Sequence, residues 1–337
     1  MTRTILQERL ISVVKRFPGL RIVVVGDAIA DQFVYGAISR VSREAPVFIL
    51  RHEQTETVPG GAANCAANLA SLGAAVSLTA VVGTDAAGRA LLEKLELAGV
   101  DCRGVLVADD LQTTTKVRIL AGQLHSTRQQ VIRIDYEGTR LTSDQLHAEL
   151  RAHALESADA ADAIVISDYN YGVANAETAD ALKKMSLSKK IPALVDSRFE
   201  LSRFHGFTSA TPNEDEVEQL LSEDDRAVAN LESAGERLRE DLGYRALLIT
   251  RGGHGMILFE AGVEPLQIAA VGGSEPVDVT GAGDTVMATY SLALAAGASF
   301  SDAAHLANHA GGIVVMKRGT AAITAAELEH SIITSDT

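Results

Sequence analysis

Short runs rich in β-branched residues alternate along this chain with longer stretches of helical spacing, and that rhythm limits the fold more than any other feature. RIVVV (21–25), VSLTAVV (76–82), AIVIS (163–167), ALV (193–195) and ALLIT (246–250) are strand candidates. Helical stretches lie between them: GAANCAANLASLG (61–73) and GRALLEKLELAG (88–99), each stopped by a glycine, then segments near 174–186, 213–221 and 228–241. Two helices, near 283–297 and 301–316, are expected to close the chain. Strands without polar alternation, separated by helices, predict an α/β fold with a mostly parallel sheet covered on both faces. The composition agrees: 47% of the 337 residues are hydrophobic, only 4% are aromatic, and tryptophan is absent.

Two segments break the rhythm. Residues 33–58 and 105–137 alternate apolar and polar with period two and contain turn signals. They predict antiparallel strands of a small second sheet, inserted after the first strand and after the second helix. The expected division is a main α/β domain over 1–32, 59–104 and 138–337, with a β-sheet lid over 33–58 and 105–137. A small sheet must bury one face, by covering the main domain, by pairing with another copy, or both.

The formal charge of −14 argues against nucleic-acid or anionic-membrane partners, which need a basic face. It leaves room for a small anionic ligand held by local Lys and Arg. Cys65 and Cys102 offer neither a disulfide framework nor a zinc pattern. The N-terminal MTRTILQERLISVVKRF mixes charge with helically spaced apolar residues and does not read as a signal peptide. The longest apolar run, near 286–298, is shorter than the ~20 residues of a membrane span. These features predict a cytoplasmic protein.

The chemistry gathers at PVDVTGAGDTV (276–286). Neither G-x-x-x-x-G-K nor G-x-G-x-x-G occurs, which removes the P-loop and dinucleotide fingerprints, and with the latter a dehydrogenase. Gly281, Ala282 and Gly283 precede an apolar helix, so backbone N–H groups there can receive an anion that no side chain keeps away. Asp284 then falls in the first turn, where its carboxylate would repel a phosphate unless it had a task; accepting the proton of an attacking hydroxyl is one. A glycine turn with a favourable first-turn acid fits the same letters. PGGAANCAANLASLG (59–73) opens a helix with two glycines and carries Asn64, an amide able to meet a sugar hydroxyl or to cap. VVGTDAAG (81–88) reads as strand, turn and a helix capped by Asp85. TPNEDE (211–216) spaces Asn213 and Glu216 three apart at a helix start, and TRGGHG (250–255) is a glycine-rich turn between strands.

Together these stretches resemble the ribokinase-like (PfkB) family of carbohydrate kinases, GGAAN being close to its first signature and DVTGAGD to its second, over roughly residues 20–325. Within it, VPGGAANCAANLASLGA, TTTKVRIL, QQVIRIDYE, ISDY and VTGAGDTV look like the bacterial heptose 7-phosphate kinases, which in many bacteria are fused to a nucleotidyltransferase; this chain is similar to the kinase half alone. The resemblance implies the ribokinase-like three-layer α/β/α fold, ATP and Mg²⁺, and a lid that also forms a homodimer contact. It implies Asp284 as catalytic base and Gly281, Ala282 and Gly283 as an anion hole. Asp31, Gly60, Gly61 and Asn64 match sugar-contacting positions. Asn213 and Glu216 match a motif associated with Mg²⁺ and phosphates. Thr250 and Gly252 match the nucleotide turn, and Asn308 lies in the segment lining the adenine pocket. Asp278, with the Arg318–Gly319 region, lies where members hold a monovalent cation such as K⁺. Lys116, Arg118 and Arg133, with Arg40 and Arg43 nearby, would clamp a substrate phosphate, or would be a solvated strand face. Two departures touch the heptose reading: Tyr171 stands in SDYNYG where the subfamily has Lys, and Ser197-Arg198 follows Asp196 where it has Pro-Lys. The implied activity is phosphorylation of heptose 7-phosphate to the 1,7-bisphosphate. The alternatives are another sugar or sugar acid (fructose, ribose or 2-keto-3-deoxygluconate) and a non-catalytic sensor on the same fold.

Overall fold

The computed structural model describes residues 4–122, 128–220, 231–272 and 275–335. Parts of three expected elements therefore lie outside the described residues: 123–127 of the inserted segment, 221 of one helix and 228–230 of the next. In chain order the strands are β1 (Arg21–Gly26), β2 (Ala28–Val41), β3 (Phe48–Gly61), β4 (Ala75–Gly83), β5 (Asp101–Ala108), β6 (Thr115–Gly122), β7 (Gln129–Tyr136), β8 (Ala163–Asp168), β9 (Ala193–Ser197), β10 (Ser209–Ala210), β11 (Ala246–Thr250), β12 (Met256–Glu260) and β13 (Leu266–Ile268). The helices are α1 (Ile5–Val14), α2 (Ala62–Ser71), α3 (Ala86–Leu97), α4 (Asp144–Ala158), α5 (Ala176–Lys189), α6 (Glu214–Leu220), α7 (Leu231–Leu242), α8 (Ala282–Ala295), α9 (Phe300–Val314) and α10 (Ala325–Thr334).

The large sheet runs β13-β12-β11-β10-β9-β8-β1-β4-β5. Neighbours from β5 to β11 pair in parallel, and β12 and β13 add an antiparallel edge. Successive residues of a strand point to opposite faces, so one strand feeds two cores. Ile22 and Val24 pack with α1, α2, α3, α8, α9 and α10. Val23 and Val25 pack with α4, α5, α6 and α7. The result is the expected three-layer α/β/α arrangement.

The small sheet runs β3-β2-β6-β7 and is mixed, since β2 and β6 are parallel. It starts earlier and ends later than the alternation suggested: β2 and β3 together cover residues 28–41 and 48–61, while 105–108 complete β5 of the large sheet. Several further elements were not legible, α4, β10, β13 and α10 among them. The α4 sequence DQLHAELRAHALESA buries only a narrow Leu150, Ala154, Ala158 line. Strand β10 has two residues. Helix α10, opened by a Thr324 capping box, follows the pair expected to close the chain.

This topology positions a crevice. Strand β1 lies between β4, reached through the small sheet, and β8, reached later on its other side. Chain leaving β1 in opposite directions opens a cleft at the carboxyl ends of the strands. The β1–β2 junction at Asp27 carries the small sheet across that edge. No helix among the described residues is long and apolar enough to cross a membrane.

Candidate active site

The start of α8 is built around Gly281, whose φ of 75° is left-handed and easy only for glycine. A Cβ there would stand 2.5 Å from Asn64 Nδ2 and 3.0 Å from Thr320 Cγ2, so the absence of a side chain is a packing requirement as well. At Gly283 a Cβ would meet nothing within 4 Å, which leaves an open approach to the backbone. The Ala282 N–H donates to the Val279 carbonyl at 3.3 Å.

Asp284 is buried in the first turn of α8. Its Oδ2 accepts from Asn64 Nδ2 at 2.8 Å and its Oδ1 from the Tyr169 hydroxyl at 2.9 Å. Asn64 is oriented from behind: Asn68 Nδ2 donates to Asn64 Oδ1 at 3.0 Å, and Asn68 Oδ1 accepts from the Ile323 N–H at 3.3 Å. This relay fixes which end of the Asn64 amide faces the carboxylate. Burial pushes the Asp284 carboxyl up to about 6; Asn64 and Tyr169 pull against that, the nearby Asp31 adds to it and Lys116 opposes it.

Beside Asp284 opens a cleft of about 490 Å³, lined from the large sheet by Tyr169 and Arg198 and from the small sheet by Asp31, Lys116, Arg118 and Arg133. Parallel pairing sets Asp31 opposite Lys116 and Phe33 opposite Arg118. Arg118 is buried and ion-paired with Asp31. Burial still raises the Asp31 carboxyl, with Arg118, Lys116 and Arg133 opposing. Gly60 leaves room for Asp31, because a Cβ would lie 2.5 Å from Asp31 Oδ2; Gly61, at φ 57°, fits against the Asp27 carbonyl in the same way, at 2.7 Å. Arg133 forks onto Asp135 at 2.8 and 2.9 Å. Arg40 and Arg43, expected nearby, are exposed at the distal end of the β2–β3 hairpin and do not line the cleft.

Asn213 and Glu216 form a reciprocal cap on α6: Glu216 Oε2 accepts from the Asn213 N–H at 3.0 Å and Asn213 Oδ1 from the Glu216 N–H at 2.8 Å. The pair thus has a structural task of its own. Burial raises the Glu216 carboxyl, and Glu216 and Asp284 add to the burial that raises Asp196, at the end of β9. Thr250 bridges to Asn213, and Gly252, at φ 51°, opens the turn after β11, where a Cβ would meet no atom within 4 Å. The Asn308 amide is spent on the Ala269 carbonyl at 2.8 Å. Asp278 accepts from the N–H groups of Thr280 and Gly319, both at 2.9 Å, and these bonds pull its carboxyl below the usual range despite partial burial. No group of three His, Cys, Asp or Glu side chains among the described residues could hold a metal ion.

Sequence reasoning missed two organising residues. Asp27 accepts from the N–H groups of Tyr169 (2.8 Å), Tyr171 (3.0 Å) and Val173 (3.2 Å), tying β1 to the loop after β8. Its carboxyl is pushed up to about 6 by burial and by Asp168. Tyr169 stood inside the quoted ISDY, but nothing local signals a hydrogen bond to a residue 115 positions away. Of the departures, Tyr171 turns its phenol toward Glu137, and burial with that neighbour raises it to about 12. Arg198 lines the cleft with its guanidinium 5.9 Å from the Phe199 ring centroid.

With this geometry in hand, comparison with known proteins is specific. A family model described as "pfkB family carbohydrate kinase" matches residues 20–326. The bifunctional proteins HldE of Hahella chejuensis and Desulfatibacillum aliphaticivorans are 40% and 38% identical to the chain over 319 and 320 residues. The matches cover 94% and 95% of this chain, but the chain spans only 64% of either relative. Among solved structures, Arabidopsis thaliana ribokinase complexed with ribose and ATP superposes with a TM-score of 0.70 at 22% identity, covering 94% of this chain and 100% of that one. Escherichia coli phosphofructokinase-2 in complex with potassium gives 0.73 at 18% identity, covering 94% and 98%. The fold is ribokinase-like.

Proposed function

The chain belongs to the pfkB family of carbohydrate kinases, and from that premise we propose that it transfers the γ-phosphoryl group of ATP to a hydroxyl of a sugar phosphate, heptose 7-phosphate being the first candidate. The observation that carries this reading is Asp284: a buried carboxylate at a helix start, beside an open glycine approach, with one hydrogen bond on each oxygen. Each oxygen keeps a lone pair for a substrate hydroxyl. The acceptor oxygen forms the new O–P bond, the bond from the γ-phosphorus to the bridging oxygen breaks, ADP leaves, and the hydroxyl proton passes to Asp284. The N–H groups at Gly281, Ala282 and Gly283 receive the transferring phosphoryl charge, with the Ala282 N–H turning from Val279 to do so.

Asp31, Gly60, Gly61 and Asn64 hold the sugar. Thr250, Gly252 and Asn308 border the nucleotide, and Asn213 and Glu216 hold the α6 terminus toward its phosphates. The half-buried Glu216 carboxylate, within electrostatic reach of Asp196, suits Mg²⁺ held largely through waters and substrate phosphates. When bound, that ion supplies charge neutralisation at the phosphates. Asp278, fixed by two amides, would anchor a loop around a monovalent cation such as K⁺.

Resemblance to heptose 7-phosphate kinases in TTTKVRIL, QQVIRIDYE and ISDY supports the substrate choice. So do Lys116 and Arg198, which line the cleft and, among the described residues, carry no direct ion pair. Neutralisation of Arg118 by Asp31 and of Arg133 by Asp135 favours the second reading, an unphosphorylated sugar. The exposed Val131, Ile132 and Tyr136 on β7 support a homodimer joined through the small sheet, and we assign the protein to the cytoplasm. The test is ATP consumption with Mg²⁺ against heptose 7-phosphate, fructose 6-phosphate, fructose, ribose and 2-keto-3-deoxygluconate. Turnover with heptose 7-phosphate alone is expected. Turnover only with an unphosphorylated sugar would transfer the site to the second reading, and no turnover with any acceptor would favour a sensor.

A further inference from the structure

We infer that Tyr169 is a positioning residue for the reaction: its hydroxyl, presented by a loop that Asp27 pins to the end of β1, keeps the Asp284 carboxylate aimed and in its proton-accepting form. The inference rests on the reading of Asp284 as the base. The Tyr169 hydroxyl donates to Oδ1 of Asp284 at 2.9 Å, while Asn64 serves Oδ2 at 2.8 Å. Two donors on two oxygens hold the carboxylate plane against rotation, which a single donor would not do. Tyr169 is itself held twice. Its N–H is bound by Asp27 at 2.8 Å, and its ring lies under the Lys116 ammonium, 5.4 Å from the centroid, on strand β6 of the small sheet. The loop turns sharply just after it, with Asn170 at φ 67°. Asp27 then takes the N–H groups of Tyr171 and Val173 as well, so one buried carboxylate sets the path of the whole loop.

The groups facing Asp284 explain why a second donor matters. Asp31 on β2 raises its carboxyl and Lys116 on β6 lowers it. Asp196 on β9 and Cys65 on α2 are also within its electrostatic reach. Burial is the largest influence, and it favours the protonated acid, which cannot accept a proton. The opposing donors are Asn64 and Tyr169. Tyr169 is suited to be a donor only: burial and the Asp284 charge push its own ionisation well above the ordinary tyrosine range. It therefore stays protonated while Asp284 titrates.

The experiment is kcat/KM for ATP-dependent phosphorylation as a function of pH from 5 to 9.5, with the best acceptor of the panel above, for the wild type, Tyr169→Phe and Asp284→Asn. Losing a hydrogen bond to a charged group should move the acid limb of the Tyr169→Phe profile up by about one pH unit or more. For a limb moved by about one pH unit, activity should then fall about fivefold at pH 6 and return close to wild type above pH 8.5. Substituting 3-fluorotyrosine at 169, a stronger donor of nearly the same size, should move the limb the opposite way, and it keeps the test open if Tyr169→Phe melts early. An unmoved limb, or a loss equal at every pH, overturns the inference and leaves Tyr169 as a packing residue. Asp284→Asn separates the two claims: if it keeps turnover, the base assignment has failed, whereas if it loses turnover while the Tyr169→Phe limb stays still, only the present inference has failed.

Discussion

Replacing Asp284 by Asn should abolish turnover and at the same time make the protein more stable. The carboxyl is held at about 6 in the folded chain against an ordinary value of 3.8. That difference corresponds to about 3 kcal/mol of folded-state strain on the ionised form, since each pKa unit is about 1.4 kcal/mol. The sign follows from proton binding. The native state holds the Asp284 proton more tightly than the unfolded chain, so this group costs stability above pH 6 and the cost fades as pH falls toward 4. Asparagine removes the charge and keeps the shape. Its Oδ1 can accept from Asn64, and its amide can donate to the Tyr169 oxygen once that hydroxyl rotates. Weaker hydrogen bonds offset part of the gain, leaving about 1–3 kcal/mol at pH 8. The assay is a set of chemical-denaturation curves for both proteins between pH 4 and pH 8.5, with turnover measured in parallel. Expected is a stability difference that favours the variant, is largest above pH 7 and is nearly gone at pH 4, with turnover down by at least about a hundredfold. A variant less stable than wild type at pH 8, or a difference independent of pH, would refute the idea that an ionised carboxylate is buried here against its preference.

Other changes separate packing from chemistry. Gly283→Ala meets no atom within 4 Å and sits in a helix, so melting should stay level or rise while turnover drops at least about tenfold, because the methyl group blocks phosphate from the backbone. Gly281→Ala should fail on both counts: a left-handed φ costs about 1 kcal/mol, and its Cβ pushes Asn64 from Asp284, so both melting temperature and kcat should fall. Arg118→Met leaves the buried Asp31 unpaired and should cost about 3 kcal/mol in denaturation, with a raised KM for the sugar. Asn213→Ala removes one half of the α6 cap, and a loss of about 1 kcal/mol with a raised KM for ATP is expected from melting and saturation kinetics.

The division between what was readable and what was not follows the range of the forces. Periodicity and β-branched runs located most of the parallel strands and most helices, because backbone preference and burial pattern act over a few neighbouring residues. The glycines at 281 and 283 announced a helix start for the same reason, and TPNEDE announced another, though the reciprocal cap between Asn213 and Glu216 is seen only in the structure. Elements carried by their neighbours stayed hidden: β10, two residues long, exists only because β9 and β11 flank it. The centre of the site was hidden too. Asp284 meets Asn64 across 220 residues and Tyr169 across 115, and the relay behind Asn64 reaches Ile323 across 255. Those meetings depend on the order in which strands enter the sheet, which sets β1 between β4 and β8 and gathers the ends of distant segments at one crevice. By itself the sequence determined the layers, the glycine turn that opens α8 and the acid within its first turn. Only the tertiary structure decided that this acid is buried, doubly hydrogen-bonded and held near 6, because burial and long-range contacts, unlike local propensity, come into being when the chain closes on itself.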